Sequence, residues 1–98
     1  MTPEQATLKH WIKQLLRARM DMDEVKQAEK DLPIDEFLSK THRLTLDEGR
    51  AEQVIGELIQ ATPALEQDYP AIQDAAHEEL VEERERDADQ GQKQKPGR

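Results

Sequence analysis

The chain contains no cysteine, a single serine (Ser39), four glycines and only three aromatic residues, Trp11, Phe37 and Tyr69. Without cysteine there is no disulfide framework, no thiolate zinc site and no sulfur nucleophile. The glycines stand apart at positions 49, 56, 91 and 97, so no glycine-rich phosphate loop can form. No apolar run approaches the ~20 residues that a membrane-spanning helix needs. The first apolar stretch, Leu8-Lys9-His10-Trp11-Ile12-Lys13, carries charges within it, which does not fit a signal peptide. The expectation from these absences is a cytoplasmic protein that makes no membrane contact.

Charge is what the chain has in quantity: 37% of its 98 residues are charged, against 35% apolar, with a net charge of −8. Ten of the apolar residues are alanine, which leaves 24 large apolar side chains. That is enough for one small domain with a thin core, and it favours support from a partner or a second copy. The charge is unevenly placed: residues 1–20 carry a net +3, residues 21–90 a net −14 and residues 91–98 a net +3. So acidic a body repels a phosphate backbone and argues against direct nucleic-acid binding. Only the first helix, with Lys9, Lys13, Arg17 and Arg19, offers a phosphate contact.

Helix signals run the length of the chain. Thr2-Pro3-Glu4-Gln5 combines an N-cap threonine, a first-turn proline and a glutamine placed to close a capping box. It opens a helix over residues 3–18 with Leu8, Trp11, Ile12, Leu15 and Leu16 on one arc and Lys9, Lys13 and Arg17 on the next. Arg19 falls within the apolar arc, so the helix either frays before it or brings it to a carboxylate. Asp21 or Asp23 caps a weaker helix over 23–32, with Val25, Ala28 and Leu32 inward, and Pro33 ends it. Ile34, Phe37, Leu38 and Thr41 form the buried stripe of a short helix, 34–41, after which His42, Arg43 and Leu44 turn the chain. Thr45-Leu46-Asp47-Glu48 reads as a second capping box, opening a helix over 46–61 that buries Ala51, Val54, Ile55, Leu58 and Ile59. Thr62-Pro63 starts a helical turn, and Pro70 opens a last helix with Ile72, Ala75, Ala76 and Leu80 on one face. The fold class expected is all-α: a small bundle of four or five short helices over residues 1–88, followed by a disordered charged tail, 89–98.

Chemistry-bearing patterns are incomplete. His77-Glu78-Glu79-Leu80-Val81 begins like the zinc-protease helix, but Val81 stands where the second histidine belongs. Asp74 and His77 are half of a di-iron carboxylate–histidine pattern whose other half is missing. Asp21-Met22-Asp23 lacks the glycine and glutamate of a calcium loop, with Lys26 and Leu32 in their places. Glu24-Val25-Lys26 has the order of a nuclease pair but lies in a helical segment. Ser39 has His42 one turn away and no oxyanion site. The acidic helical composition is like that of acyl carrier proteins, without their Asp-Ser-Leu attachment sequence. The expectation is a protein with no catalytic residues, no cofactor and no metal.

Two faces are candidates for binding a partner. Opposite the apolar stripe of helix 46–61 lie Gly49, Gln53, Gly56 and Gln60, an uncharged strip spaced 4, 3, 4. Each glycine inside a helix costs about 1 kcal/mol relative to alanine, so two on one face invite a reason. The other face is the basic arc Lys9, Lys13, Arg17. Helices 34–41 and 46–61 form an αα-hairpin rather than a DNA-reading helix-turn-helix, whose leading side chains here would be Asp47, Glu48 and Glu52. The functional expectation is a non-catalytic protein–protein interaction module, a small acidic regulator, adaptor or inhibitor subunit, with a homodimer among its possible assemblies. The alternative is an acidic nucleic-acid mimic that presents Asp47, Glu48, Glu52, Glu57, Glu78, Glu79, Glu82 and Glu83 in place of phosphates.

Overall fold

The computed structural model describes the backbone of residues 1–94 and the side chains of residues 1–88. Over that range the chain forms three long α-helices and no strand: α1, Pro3–Gln27; α2, Ile34–Ala61; and α3, Leu65–Gln94. One turn of 3-10 helix, Glu29–Asp31, links α1 to α2. The all-α class is as expected, but four or five short helices are replaced by three long ones. Of the tail expected to be disordered over 89–98, the backbone is helical as far as Gln94, and residues 95–98 lie outside the described residues.

The start of α1 follows its sequence signal. Thr2 Oγ1 accepts from the Gln5 backbone N–H at 3.1 Å and Gln5 Oε1 accepts from the Thr2 N–H at 2.9 Å, closing the capping box, with Pro3 in the first turn. The helix neither frays at Arg19 nor restarts at Asp21 or Asp23. Arg19 Nε instead meets Glu48 Oε1 of α2 at 3.5 Å, the carboxylate contact that the sequence allowed. Asp21 accepts from Arg84 of α3 at 3.3 Å. With its carboxylate engaged across the interface and no glycine or proline nearby, Asp21 acts as an interior residue and not as a cap. Val25, Ala28 and Leu32 are only half-buried.

The turn expected at 42–44 is absent, and with it the αα-hairpin. Leu44 is buried, and Thr45 Oγ1 donates to the Thr41 carbonyl at 2.8 Å, a bond back along the helix in place of an N-cap. Nothing between Ile34 and Ala61 breaks a helix beyond two glycines, each a mild cost. Continuity also corrects the buried stripe 34–41. The arc of Leu44, Ala51 and Ile55 sets which side of α2 meets the core, and at 100° per residue Phe37 falls on it while Ile34 and Leu38 do not. Ile34 and Leu38 are accordingly 68% and 55% exposed.

Pro70 does not open α3 but lies inside it, five residues after Leu65. Its missing N–H leaves the Glu66 carbonyl without its helical donor. Tertiary packing offsets that loss. Leu65 is buried, Tyr69 packs on the core, and Asp68 Oδ2 accepts from Gln5 Nε2 at 3.0 Å. Bonds from the N–H groups of Leu65 and Glu66 to the carbonyls of Thr62 and Pro63, at 2.9 and 3.1 Å, wind the entry tightly.

α1 is the middle helix, packed along both α2 and α3, which scarcely touch each other. The molecule is flattened, 51 × 32 × 16 Å, with a radius of gyration of 16.4 Å. A compact chain of this length would have a radius of gyration near ~13 Å. One core nonetheless joins the three helices: Leu8, Ile12 and Leu15 of α1, Ala51 and Ile55 of α2, and Leu65, Ile72 and Ala76 of α3.

Candidate functional site

The basic arc of α1 is brought against α3. Lys9 bonds Glu79; Lys13 lies 3.4 Å from Glu79 and 2.9 Å from Glu83; Arg17 lies 3.2 Å from Glu83. The spacing is the cause, since Lys9, Lys13 and Arg17 recur every four residues on α1 and Glu79 and Glu83 do the same on α3. Further along, Arg84 reaches back to Asp21 and Glu24. The Lys9 hydrogen bond, opposed by partial burial and reinforced by Lys13, holds the Glu79 carboxyl below the usual glutamate range. Glu83 is lowered in the same way, first by Lys13 and then by Arg17. Burial works against the charge of Arg84, but its bonds to Glu24 and Asp21 outweigh it and raise its pKa.

Of the eight carboxylates singled out as phosphate mimics, Glu48, Glu79 and Glu83 are thus ion-paired within the fold. Asp47, Glu52 and Glu57 are exposed and form no ion pair among the described residues, but at 100° per residue they point in three directions around α2. Glu78 and Glu82 are exposed on one ridge of α3, which Glu85 continues one turn on. Asp74 and His77 are also exposed, and among the described residues no group of three or more His, Asp or Glu side chains is gathered as a metal site would require.

Gly49, Gln53, Gly56 and Gln60 are all exposed, and a Cβ built at either glycine meets nothing within 4 Å. The continuity of α2 lengthens this strip beyond what the sequence suggested. Leu38, His42 and Leu46 fall on the same arc and are exposed, so the strip runs Leu38, His42, Leu46, Gly49, Gln53, Gly56, Gln60. It is about 80° wide at 100° per residue and contains no Asp, Glu, Lys or Arg. Ile34 lies at its margin one turn earlier. The sequence reading missed Leu38, His42 and Leu46 because it placed a turn at 42–44. The signal that would have found them is the lack of any strong helix breaker between Pro33 and Pro63. Comparisons of the chain with family models, curated proteins and solved structures find no match.

Proposed function

We propose that the protein is a non-catalytic interaction module of the cytoplasm that binds protein through the outer strip of α2, as a regulator, adaptor or inhibitor subunit does. The observation that carries this reading is the exposure of Ile34, Leu38 and Leu46, at 68%, 55% and 59%, on one side of one helix in a highly charged chain. Large apolar side chains recurring one or two turns apart along a helix face, here uncharged from Leu38 to Gln60, are the usual anchors of a helix in a partner's groove. The basic arc of α1 is less suited to a partner, because its cations are already satisfied by α3. For the same reason a phosphate contact through α1 is disfavoured. The test is affinity capture from the native host with wild-type protein and with Leu38→Glu/Leu46→Glu. Partners held by the wild type and lost by the variant support the reading; partners retained by the variant count against it.

The acidic-mimic reading keeps one observation in its favour, the exposed ridge of Glu78, Glu82 and Glu85 on α3. It requires that Glu78→Gln/Glu82→Gln/Glu85→Gln lose a nucleic-acid-binding partner that Leu38→Glu/Leu46→Glu retains.

A further inference from the structure

Large and small residues are unequally distributed along the α2 strip. Its N-terminal half carries Leu38, His42 and Leu46, and its C-terminal half carries Gly49, Gln53, Gly56 and Gln60. A two-fold axis lying against the strip, perpendicular to α2 and level with the Asp47–Glu48 bond, would run a second α2 antiparallel to the first. Residues whose numbers sum to about 95 then stand at one height, to within one residue or ~1.5 Å. Leu46 stands opposite the Gly49 position of the second copy, Leu38 opposite Gly56, and His42 opposite Gln53. Each large apolar side chain meets a position with no side chain, twice over by symmetry, and imidazole meets amide. Asp35, the charged residue on this arc just before the strip, falls opposite Gln60, whose amide can donate to it. Across the axis itself Leu46 also lies about 4.5 Å along the helix from Leu46 of the second copy, an apolar contact at the centre. A parallel pair would instead stack Leu38 on Leu38 and leave Gly56 facing Gly56.

We infer that the α2 strip is self-complementary and that its occupant is the α2 strip of a second copy, antiparallel about this axis. The inference rests on the reading of that strip as a protein-binding surface and names the partner. It also gives the two glycines a purpose: a two-fold interface must carry both the projecting side chain and the gap that receives it on one surface. From Leu38 to Gln60 the strip is about 33 Å long, and at a width of ~10 Å each copy buries on the order of 330 Å² before its flanks are counted. The two copies together bury about 660 Å², well short of the ~1,200–2,000 Å² of a stable dimer, so the pairing is weak and reversible. On one rim Arg43 and Arg50 of the two copies converge between the two Glu57 residues, and each copy has a net charge of −8. Both features oppose pairing and are screened by salt, so association strengthens as ionic strength rises.

The absence of cysteine makes the geometry directly testable. His42→Cys mixed with Gln53→Cys should form a disulfide between unlike variants under mild oxidation. Either variant alone should not, because like positions lie about 16 Å apart along the axis in this register. Sedimentation equilibrium from micromolar to millimolar protein should show a reversible dimer. Gly56→Leu and Leu38→Ala should each weaken it roughly tenfold or more, and Leu38→Ala/Gly56→Leu, which exchanges projection and gap, should recover most of the loss. Circular dichroism confirms that each variant folds. Disulfides within a single variant would overturn the antiparallel register. A folded monomer at all concentrations would overturn self-pairing. If such a monomer still loses its captured partners on Leu38→Glu/Leu46→Glu, the strip binds protein and only the identity of the occupant is wrong.

Discussion

The central helix meets its two neighbours by different means. Against α2 it packs chiefly apolar side chains, with Ala51 and Ile55 in the core, Leu58 and Ile59 packed on it, and one ion pair at its edge, Arg19–Glu48. Against α3 it packs Leu65, Ile72 and Ala76 and adds the ladder of Lys9, Lys13 and Arg17 with Glu79 and Glu83, then Arg84 with Asp21 and Glu24. Apolar burial is non-directional and is not screened by salt. Partly exposed ion pairs contribute little net stability, but they favour one register of α3 along α1. The two interfaces should therefore respond alike to loss of core volume and differently to pH and salt.

The largest effect is expected where both interfaces share a residue. Ile12 is fully buried in the common core, and Ile12→Ala should cost about 2–5 kcal/mol in denaturant unfolding and loosen α2 and α3 together. Leu80→Ala should cost a similar amount but be felt first in hydrogen exchange of α3. If α2 loosens equally, the two interfaces are one cooperative unit.

Next comes the entry to α3, where Pro70 leaves one helical hydrogen bond unmade. An interior proline costs a helix ~3 kcal/mol, partly offset by its stiffening of the unfolded chain. Pro70→Ala should restore the bond to the Glu66 carbonyl and raise stability by about 2 kcal/mol. No gain in the melting curve would mean that proline's hold on the unfolded chain outweighs the missing bond. On the α2 side, Gly49→Ala adds a Cβ that meets nothing in the monomer. It should raise the stability of dilute protein by about 0.5–1 kcal/mol and leave both interfaces with α1 unchanged.

The smallest effect, and the one that best separates the interfaces, is electrostatic. Glu79 and Glu83 have folded pKa values below their ordinary value of 4.5. Their contribution is therefore complete above the unfolded value and is lost as pH falls through the lowered folded value. Acidification should loosen α3 before α2, as read by residue-resolved exchange. Lys13→Met should lower the melting temperature slightly at low salt and less at high salt, whereas Leu58→Ala should show the same loss at both. Equal salt dependence would remove the distinction between the two interfaces.

Local chemistry alone determined the helical class, the Thr2 cap and the inward faces of α1, of 46–61 and of 72–80. In each case the signal is contained within one or two turns: a hydroxyl three residues from a glutamine, or apolar residues recurring at three and four. It also anticipated that Arg19 could meet a carboxylate, but not which one. What it could not determine was whether a cap-like pattern acts as a cap. Thr45-Leu46-Asp47-Glu48 suits either a helix start or a helix interior. The decision came from Leu44 in the core and from Glu48 drawn to Arg19 on another helix. Pro70 is the converse: a residue that locally marks a beginning is carried inside α3 because burying Leu65 and packing Tyr69 outweigh one missing hydrogen bond. The candidate surface depended on the same decision. Gly49, Gln53, Gly56 and Gln60 were legible as an uncharged strip. Leu38, His42 and Leu46 joined them only once tertiary contacts made 34–61 a single helix, because the angular position of a side chain is defined only along an unbroken backbone.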